Sequence, residues 1–170
     1  MEAAAAFLAV RPRSTEETRR RLIHLGYPSA LSDRVVARLV EMRYLDDADF
    51  ARAWVESRDR ARPRGATALK RELQLKGIDR ETIEAVLDER EQLASPAGPG
   101  APPASADDAA ARHLLERRAG ALARESDPRR RRQKAYALLA RHGFSPEICS
   151  RLSATVISEV DESGDRARGV

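Results

Sequence analysis

The groups in this chain of 170 residues that could do acid–base or metal chemistry are few and scattered. The histidines His24, His113 and His142 have no acidic or cysteine partner at the spacing of metal ligands. The acidic run at 46–49 lacks the loop glycine and the later acidic ligands of a calcium site, so we interpret it as the first turn of a helix. Cys149 is expected to be a small buried apolar residue. No catalytic group, metal or cofactor is therefore expected.

The chemistry that remains is electrostatic, and arginine carries it. The net charge is only +4, but residues 52–76 hold eight basic and three acidic side chains, and residues 129–141 hold six basic and none acidic. Basic residues on successive units of an array form a stripe that suits a polyanion or an acidic protein groove. An inert solvated surface is the alternative, because Arg outnumbers Lys 28 to 3, as a GC-rich genome also produces. No aromatic residues interleave with these arginines, so base stacking on single strands is not indicated.

Three glycines in the same local frame divide the chain into repeats. A leucine precedes each glycine by four residues, a large apolar residue follows it directly, and another apolar residue lies nine positions later. This frame predicts a helix, a left-handed glycine that ends it, and a second helix. The glycines are Gly26, Gly77 and Gly143, the leucines Leu22, Leu73 and Leu139, and the residues that follow Tyr27, Ile78 and Phe144.

Start signals precede the first helix of each pair. Ser14 and Glu17 fit a capping box, in which each side chain satisfies a backbone amide of the other residue. Gly65 occupies the same offset in the second copy, and Asp127 followed by Pro128 supplies a cap in the third. Cations at His24 and His142 would suit the dipole at the helix end.

A further helix precedes each pair, so the full unit has three helices. In the second copy it is predicted over 46–60, with Asp46 as N-cap and Phe50, Ala51 and Trp54 on one apolar stripe. In the third copy it is predicted over 107–122, and in the first copy over a shortened 2–10. No segment alternates apolar and polar residues as a strand would. The chain is predicted to be all-α, an elongated array of three tandem three-helix repeats.

The predicted repeats have linkers and boundaries of distinct composition. The first repeat spans 1–43, the second 44–94 and the third 107–157, with a Pro/Gly/Ala linker over 95–106 and a polar tail over 158–170. No run of about 18 apolar residues indicates a membrane span, and the N-terminal segment lacks the basic lead of a secretory signal. With a single cysteine, these features predict a cytoplasmic protein.

The second copy carries a specific pattern. Its residues are Tyr44, Leu45, Asp46, Asp47, Ala48, Asp49, Phe50, Ala51, Trp54, Arg58, Gly65, Leu69, Glu72, Leu73, Lys76, Gly77, Ile78 and Ile83. With the flanking frames around Gly26 and Gly143, this pattern resembles the RecX family of bacterial regulatory proteins over roughly residues 13–152.

The resemblance implies a non-enzymatic protein and a curved, elongated three-repeat molecule. Family members lodge in the helical groove of the RecA–single-stranded DNA filament, where they block its extension or promote its disassembly. They thereby limit strand exchange, ATP hydrolysis and repressor co-cleavage in homologous recombination, DNA repair and the SOS response. The expected partner is the RecA filament, with single-stranded DNA inside it as a further contact, and the chain is expected to be a monomer.

The signature residues and the partner contacts are expected to differ. The apolar signature residues are interpreted as core, because large apolar side chains at helical spacing are usually buried. The structural motif comprises Tyr44, Leu45, Asp46, Asp47, Phe50, Ala51, Trp54, Leu73, Gly77 and Ile78. The candidate partner contacts are basic: Arg58, Arg62, Arg64, Lys70, Arg71, Lys76, Arg118, Arg129, Arg130, Arg131, Arg132 and Lys134. Arg58 and Arg118 occupy equivalent repeat positions.

Two other functions remain open from the sequence. The first is a helical DNA-binding protein that acts without a recombinase, since each unit superficially resembles a helix-turn-helix. No helix, however, offers a compact set of Asn, Gln and Arg suited to base edges. The second is a protein-adaptor array in which the basic charge is incidental. RecA-dependent ATP hydrolysis on single-stranded DNA separates these functions.

Overall fold

The computed structural model of the chain describes residues 2–94 and 105–166, and every regular element within those ranges is a helix. This confirms the all-α prediction. Three helices form each repeat. They are α1 (Glu2–Leu8), α2 (Thr15–His24) and α3 (Ser29–Glu41); α4 (Asp47–Ala61), α5 (Ala66–Leu75) and α6 (Arg80–Leu93); α7 (Ala106–Ala123), α8 (Pro128–Arg141) and α9 (Pro146–Arg166).

The predicted linker and tail are only partly covered. Residues 95–104 of the linker lie outside the described residues, whereas Ser105 and Ala106 are the N-cap and the first residue of α7. Ser105 and Asp108 form a capping box there. The backbone of α9 continues to Arg166, so part of the predicted polar tail is helical, and residues 167–170 lie outside the described ranges.

The chain divides into two compact units that do not follow the repeat boundaries. The first unit comprises residues 1–56 and 70–89, and the second comprises residues 57–69 and 90–170. Each unit therefore takes one terminal repeat together with part of the middle repeat. A small cluster of Ala4, Leu22, Leu39 and Leu45 is buried in the first unit. A larger cluster is buried in the second: Ala110, Ala111, Leu114, Leu115, Leu122, Ala135, Leu139, Phe144, Ile148, Cys149 and Leu152.

The three glycine frames form left-handed corners, as predicted. Gly26, Gly77 and Gly143 have φ of 89°, 81° and 82°, a conformation that L-residues with a Cβ rarely adopt. The amide of the residue after each glycine donates to the carbonyl of the leucine four positions before the glycine, over 3.1–3.4 Å at Gly77 and Gly143. We name residues 25–27, 76–78 and 142–144 the first, second and third corners.

Within the first unit, the start of α2 lies against the second corner. Ser14 Oγ donates to Lys76 O over 2.6 Å, and a Cβ on Gly77 would lie 2.3 Å from Glu16 Cβ. Asp47, at the start of α4, accepts from the amide of Thr15 over 2.9 Å and from its hydroxyl over 2.6 Å. The first turn of α2 is thereby satisfied by the repeat that follows it.

Within the second unit, the start of α5 lies against the third corner in the same way. The amide of Gly65 donates to His142 O over 3.0 Å, and a Cβ on Gly65 would lie 2.2 Å from Gly143 O. The amide of Ala66 donates to both carboxylate oxygens of Asp107, over 3.0 and 2.9 Å. Asp47 and Asp107 thus occupy equivalent positions in α4 and α7 and cap the helix of the preceding repeat.

An ion network strengthens the second of these junctions. Arg90, on α6, pairs with Asp59 over 2.8 Å and with Asp107 over 2.6 Å. Its guanidinium also lies 3.4 Å from the carbonyl oxygens of Arg64 and Ala106. Burial opposes the charge of Arg90, but the two carboxylates outweigh it and raise its pKa. Asp107 therefore caps α5 and is also one of the two carboxylates that pair with Arg90.

Several predicted details are wrong. Ser14 Oγ accepts from the amide of Glu17 over 3.1 Å, but the Glu17 carboxylate pairs with Lys76 over 2.5 Å and does not complete the capping box. Tyr44, predicted to be core, is 66% exposed, since it follows α3 at the strained left-handed Arg43. Trp54 is only half-buried, with Nε1 donating to Glu72 over 2.9 Å.

Most of the apolar signature residues are buried, as predicted. Leu45, Phe50, Ala51, Leu73 and Ile78 are buried. Asp46 caps α4 by accepting from the amide of Asp49 over 2.9 Å.

Substituting Gly65 by alanine tests the close approach at the third corner. The added Cβ meets backbone atoms of Gly143 that cannot move without displacing the corner. We expect Gly65→Ala to lower the free energy of unfolding by about 1–3 kcal/mol, measured by denaturant titration. The matched control is Gly120→Ala in α7, where a Cβ meets nothing within 4 Å and should stabilise the helix by about 0.5–1 kcal/mol. Equal stability of Gly65→Ala and the parent would contradict the assignment.

The Glu17–Lys76 pair predicts a pH dependence of stability. Burial of Glu17 raises its pKa, but hydrogen bonding and charge from Lys76 and Arg11 outweigh burial and hold the pKa below its usual range. The pair therefore stabilises the fold above the unfolded pKa and is lost as pH falls through the lowered one. Glu17→Gln should be less stable than the parent at pH 7, and the difference should shrink between about pH 5 and pH 3. Urea titrations across this range measure it.

The control for this experiment is Glu147→Gln. Glu147 is also a first-turn acid, on α9, and it makes no ion pair with any described residue. If the two variants depart from the parent with the same pH profile, the effect belongs to first-turn charge and not to the pair.

Candidate functional site

The densest basic segment is the start of α8. Asp127 caps the helix by accepting from the amide of Arg129 over 2.9 Å, and Pro128 is its first residue. Four arginines then follow at 129–132. Cations at the N-terminal end oppose the helix macrodipole and weaken the helix. Helix stability therefore does not explain why four arginines stand there.

The four arginines differ in what they contact. Arg131 is only 6% exposed, and its Nε and Nη2 donate to Glu125 O over 3.0 and 2.9 Å. Its donors therefore hold the α7–α8 turn, which leaves Arg131 little capacity for the predicted partner contact. Arg130 is exposed, with Nε lying 3.6 Å from Asp127. The exposed guanidinium groups of Arg129 and Arg132 make no ion pair within the described ranges.

Lys134 is exposed but internally paired. Its Nζ donates to Glu125 over 2.6 Å, and this hydrogen bond is the main reason that the pKa of Glu125 lies below its usual value. Lys134 therefore contacts the carboxylate of Glu125, and Arg131 contacts its backbone carbonyl. The surface that the start of α8 offers to a partner is thus led by Arg129 and Arg132.

A second concentration of positive charge surrounds the third corner. Burial of His142 is the main cause of its lowered pKa, and the nearby charges of Arg64, Arg141 and Arg118 lower it further. The ring is held by a 2.8 Å contact between Nδ1 and Leu138 O. The direction of this shift disfavours the predicted helix-end cation at His142. The charges of Arg64, Arg118 and Arg141 all act on its ring.

The candidates from the middle repeat fall into both units. In the second unit, Arg62 is exposed and makes no ion pair among the described residues, whereas Arg58 and Arg64 are half-buried. In the first unit, Lys70 and Arg71 are exposed on α5. The predicted stripe thus reduces within the second unit to Arg62, Arg118 and the exposed arginines at the start of α8.

Lys76 has a structural role that the sequence did not reveal. Its Nζ pairs with Glu17 and lies 4.7 Å from the centroid of the Trp54 ring. The Phe50 ring stacks on the same Trp54 ring at a centroid distance of 6.0 Å. Lys76 is thus largely occupied inside the first unit, which removes most of its capacity for a partner contact.

The sequence does not show that Asp47 and Asp107 cap the helix of the preceding repeat. It predicts Asp47 as a signature residue and first-turn acid, and Asp107 as the start of a helix. Their spacing of 60 residues equals that of Arg58 and Arg118, and this shared offset was the available signal. Arg141 was counted in its basic run but not named.

Three further observations concern metal binding, membrane spans and the cysteine in the part of the chain that the structure describes. They contain no group of three or more His, Cys, Asp or Glu side chains that could hold a metal ion. No helix among them combines the length and the apolar character needed to cross a membrane. Burial raises the pKa of the Cys149 thiol, which disfavours a reactive thiolate.

Comparison with known proteins gives a consistent result along the chain. The model for the first three-helix domain of RecX matches residues 1–39, that for the second matches 46–87, and that for the third matches 106–152. A regulatory protein RecX from Mycobacterium ulcerans is 33% identical over 161 residues, covering 95% of this chain and 84% of that protein. The one from Mycolicibacterium smegmatis is 44% identical over 80 residues, covering 47% and 43%.

A solved structure has the same fold. The crystal structure of RecX from Lactobacillus salivarius superimposes with a TM-score of 0.69 at 22% identity, covering 94% of this chain and 93% of that one.

Stability measurements can separate the structural role of Arg131 from the exposed positions of Arg129 and Arg132. Arg131→Ala removes two charge-assisted hydrogen bonds and should lower the free energy of unfolding by about 1.5–3 kcal/mol. Arg129→Ala combined with Arg132→Ala removes cations from the wrong end of a helix dipole and should leave stability equal or a few tenths of a kcal/mol higher. Thermal and urea unfolding measure both. A double variant less stable than Arg131→Ala would contradict this assignment.

Proposed function

The chain belongs to the RecX family, and we propose that it is a non-enzymatic regulator that binds the RecA–single-stranded DNA filament and inhibits it. The observation that carries this proposal is the ordered match of all three RecX domain models along one chain. In this proposal the chain acts as a monomer in the cytoplasm. It limits ATP hydrolysis, strand exchange and co-protease activity by occupying the filament.

The exposed arginines supply the electrostatic part of the proposed binding. Arg62, Arg129 and Arg132 are exposed and make no ion pair among the described residues, so they are available to DNA phosphates or to acidic recombinase side chains. Binding to phosphates releases condensed counterions, and binding to acidic side chains is screened by salt. Inhibition should therefore weaken as ionic strength rises.

Positive charge around the third corner extends this surface. Arg118 and Arg141 are exposed near His142, and after burial their charges are among the causes of its lowered pKa. An anion placed there would be attracted by these cations. The same residues would serve a DNA-binding protein without a recombinase, so the test must measure dependence on RecA.

The direct experiment replaces Arg62, Arg129 and Arg132 together by alanine. RecA-dependent ATP hydrolysis is measured on single-stranded DNA against increasing concentrations of the chain. The triple variant should need at least about tenfold more protein for half-inhibition, which corresponds to about 1.4 kcal/mol of binding. Its helical signal and unfolding free energy should match the parent.

The matched control removes the same charge elsewhere. Arg34, Arg38 and Arg80 are exposed on α3 and α6 of the first unit and are not candidates. Their triple alanine variant should inhibit as the parent does. Failure of the parent to inhibit, with tight duplex DNA binding in its place, would contradict the proposed function. Equal loss in both triple variants would show that net charge, and not this surface, governs inhibition.

A further inference from the structure

The three glycine corners differ in what covers them. The second corner lies against the start of α2 and the third against the start of α5, whereas no described atom lies within 4 Å of where a Cβ on Gly26 would be. The side chain of the residue after the glycine is buried at the two covered corners and exposed at the first. Ile78 and Phe144 are 4% and 5% exposed, but Tyr27 is 43% exposed. The first corner is therefore built like the other two and left uncovered by the described residues.

The covered corners show what this geometry receives. Each accepts one hydrogen bond at the carbonyl before its glycine, from Ser14 Oγ at Lys76 O and from the Gly65 amide at His142 O. Each donor is the residue directly before a helix, and each is small. At the first corner the equivalent acceptor is Leu25 O, to which no described group donates. A corner of this kind thus matches the N-terminal turn of a helix, whose free amides and positive dipole end suit an unpaired carbonyl.

The side chains around the first corner indicate which residues the first turn of such an incoming helix would carry. Leu25 stands where the second corner has Lys76, which pairs with the acidic Glu17. An apolar residue in that place favours an apolar or small side chain on the incoming first turn. Ile23 and Leu31, three residues before and five residues after Gly26, are also exposed, so the segment around Gly26 presents four exposed apolar side chains. Exposed apolar side chains that lie together can mark an interaction site.

A second copy of the chain fits this surface poorly. The helix it would present is α8, which is capped by Asp127, whereas the covered corners receive a Ser or a Gly. Its first turn carries exposed arginines, and the last turn of α2 beside the first corner carries Arg21. Like charges therefore oppose head-to-tail stacking of copies at this surface.

We propose that the first corner, Leu25 to Tyr27, docks the N-terminal turn of a helix of the RecA filament, one that begins with Ser, Thr or Gly and presents a small apolar side chain. This proposal rests on the proposed function, because it takes the filament as the partner. It adds an apolar anchor in the first unit to the basic contacts of the second. Buried apolar anchors supply most of the binding energy of a typical interface, and surrounding charges mainly set rate and specificity.

The first arm of the test is a pair of double variants. Leu25→Ala with Tyr27→Ala trims the corner, and Val40→Ala with Met42→Ala trims equally exposed apolar side chains at the end of α3. Circular dichroism and urea unfolding confirm that each is folded. The corner variant should need roughly tenfold more protein for half-inhibition of RecA ATP hydrolysis, and the α3 variant should match the parent. A folded corner variant that inhibits as well as the parent would overturn the proposal.

The second arm keeps an aromatic ring at position 27. Tyr27 is replaced by the photo-crosslinking residue benzoylphenylalanine, and the chain is irradiated on RecA filaments assembled on single-stranded DNA. Peptide mapping should place the cross-link in the first turn of a RecA helix. A cross-link to a second copy, or to this chain's own residues, would overturn the proposal.

The two proposals fail in different ways. A parent chain that neither binds nor inhibits the filament removes the proposed function, and the docking proposal falls with it. A parent that inhibits, beside a corner variant that inhibits equally and a cross-link outside any RecA helix start, removes only the docking proposal.

Discussion

The structure depends on one contact made twice, the first turn of a repeat's middle helix against the glycine corner of the next repeat. A helix N-terminus has amides without intrahelical acceptors, and a helix that ends at a corner has carbonyls without donors. The Ser14 hydroxyl donates to Lys76 O and the Gly65 amide donates to His142 O, so each corner carbonyl gains a donor from the start of a helix. Asp47 and Asp107, from the following repeat, accept from the first helical amides, those of Thr15 and Ala66. Repeat arrays are stabilised by interactions between neighbouring repeats, and these junction contacts join each repeat to the next.

The sequence allowed the local elements to be predicted, because they follow from local chemistry. A left-handed glycine needs no tertiary partner to be recognised, and neither does Asp46 as a cap. The junction contacts could not be predicted, since they depend on which residues another repeat brings close. Glu17 fits a local capping box, yet Lys76 from the next repeat takes its carboxylate. Gly65 shows no unusual φ, and only the approach of Gly143 explains it.

The same limit applied to the basic residues. Sequence reasoning placed the arginines of 129–132 in one class, whereas the fold separates Arg131, which holds the α7–α8 turn, from the exposed Arg129 and Arg132. Burial and donor geometry, which periodicity cannot supply, make that distinction. The proposed function gains from it, because arginines that stabilise no part of the described fold are the ones available to a polyanionic filament. The division also separates substitutions that test binding from those that test folding.

Native-state hydrogen exchange tests the junction most directly. The amides of Thr15, Gly65 and Ala66 lie at helix starts, where exchange is usually fast, but each donates to an acceptor in the next repeat. The amide of Glu147, in the first turn of α9, has no acceptor among the described residues. The three junction amides are expected to exchange at least about 100-fold more slowly than that of Glu147 after correction for intrinsic rates. Junction amides that exchange as fast as Glu147 would contradict this expectation.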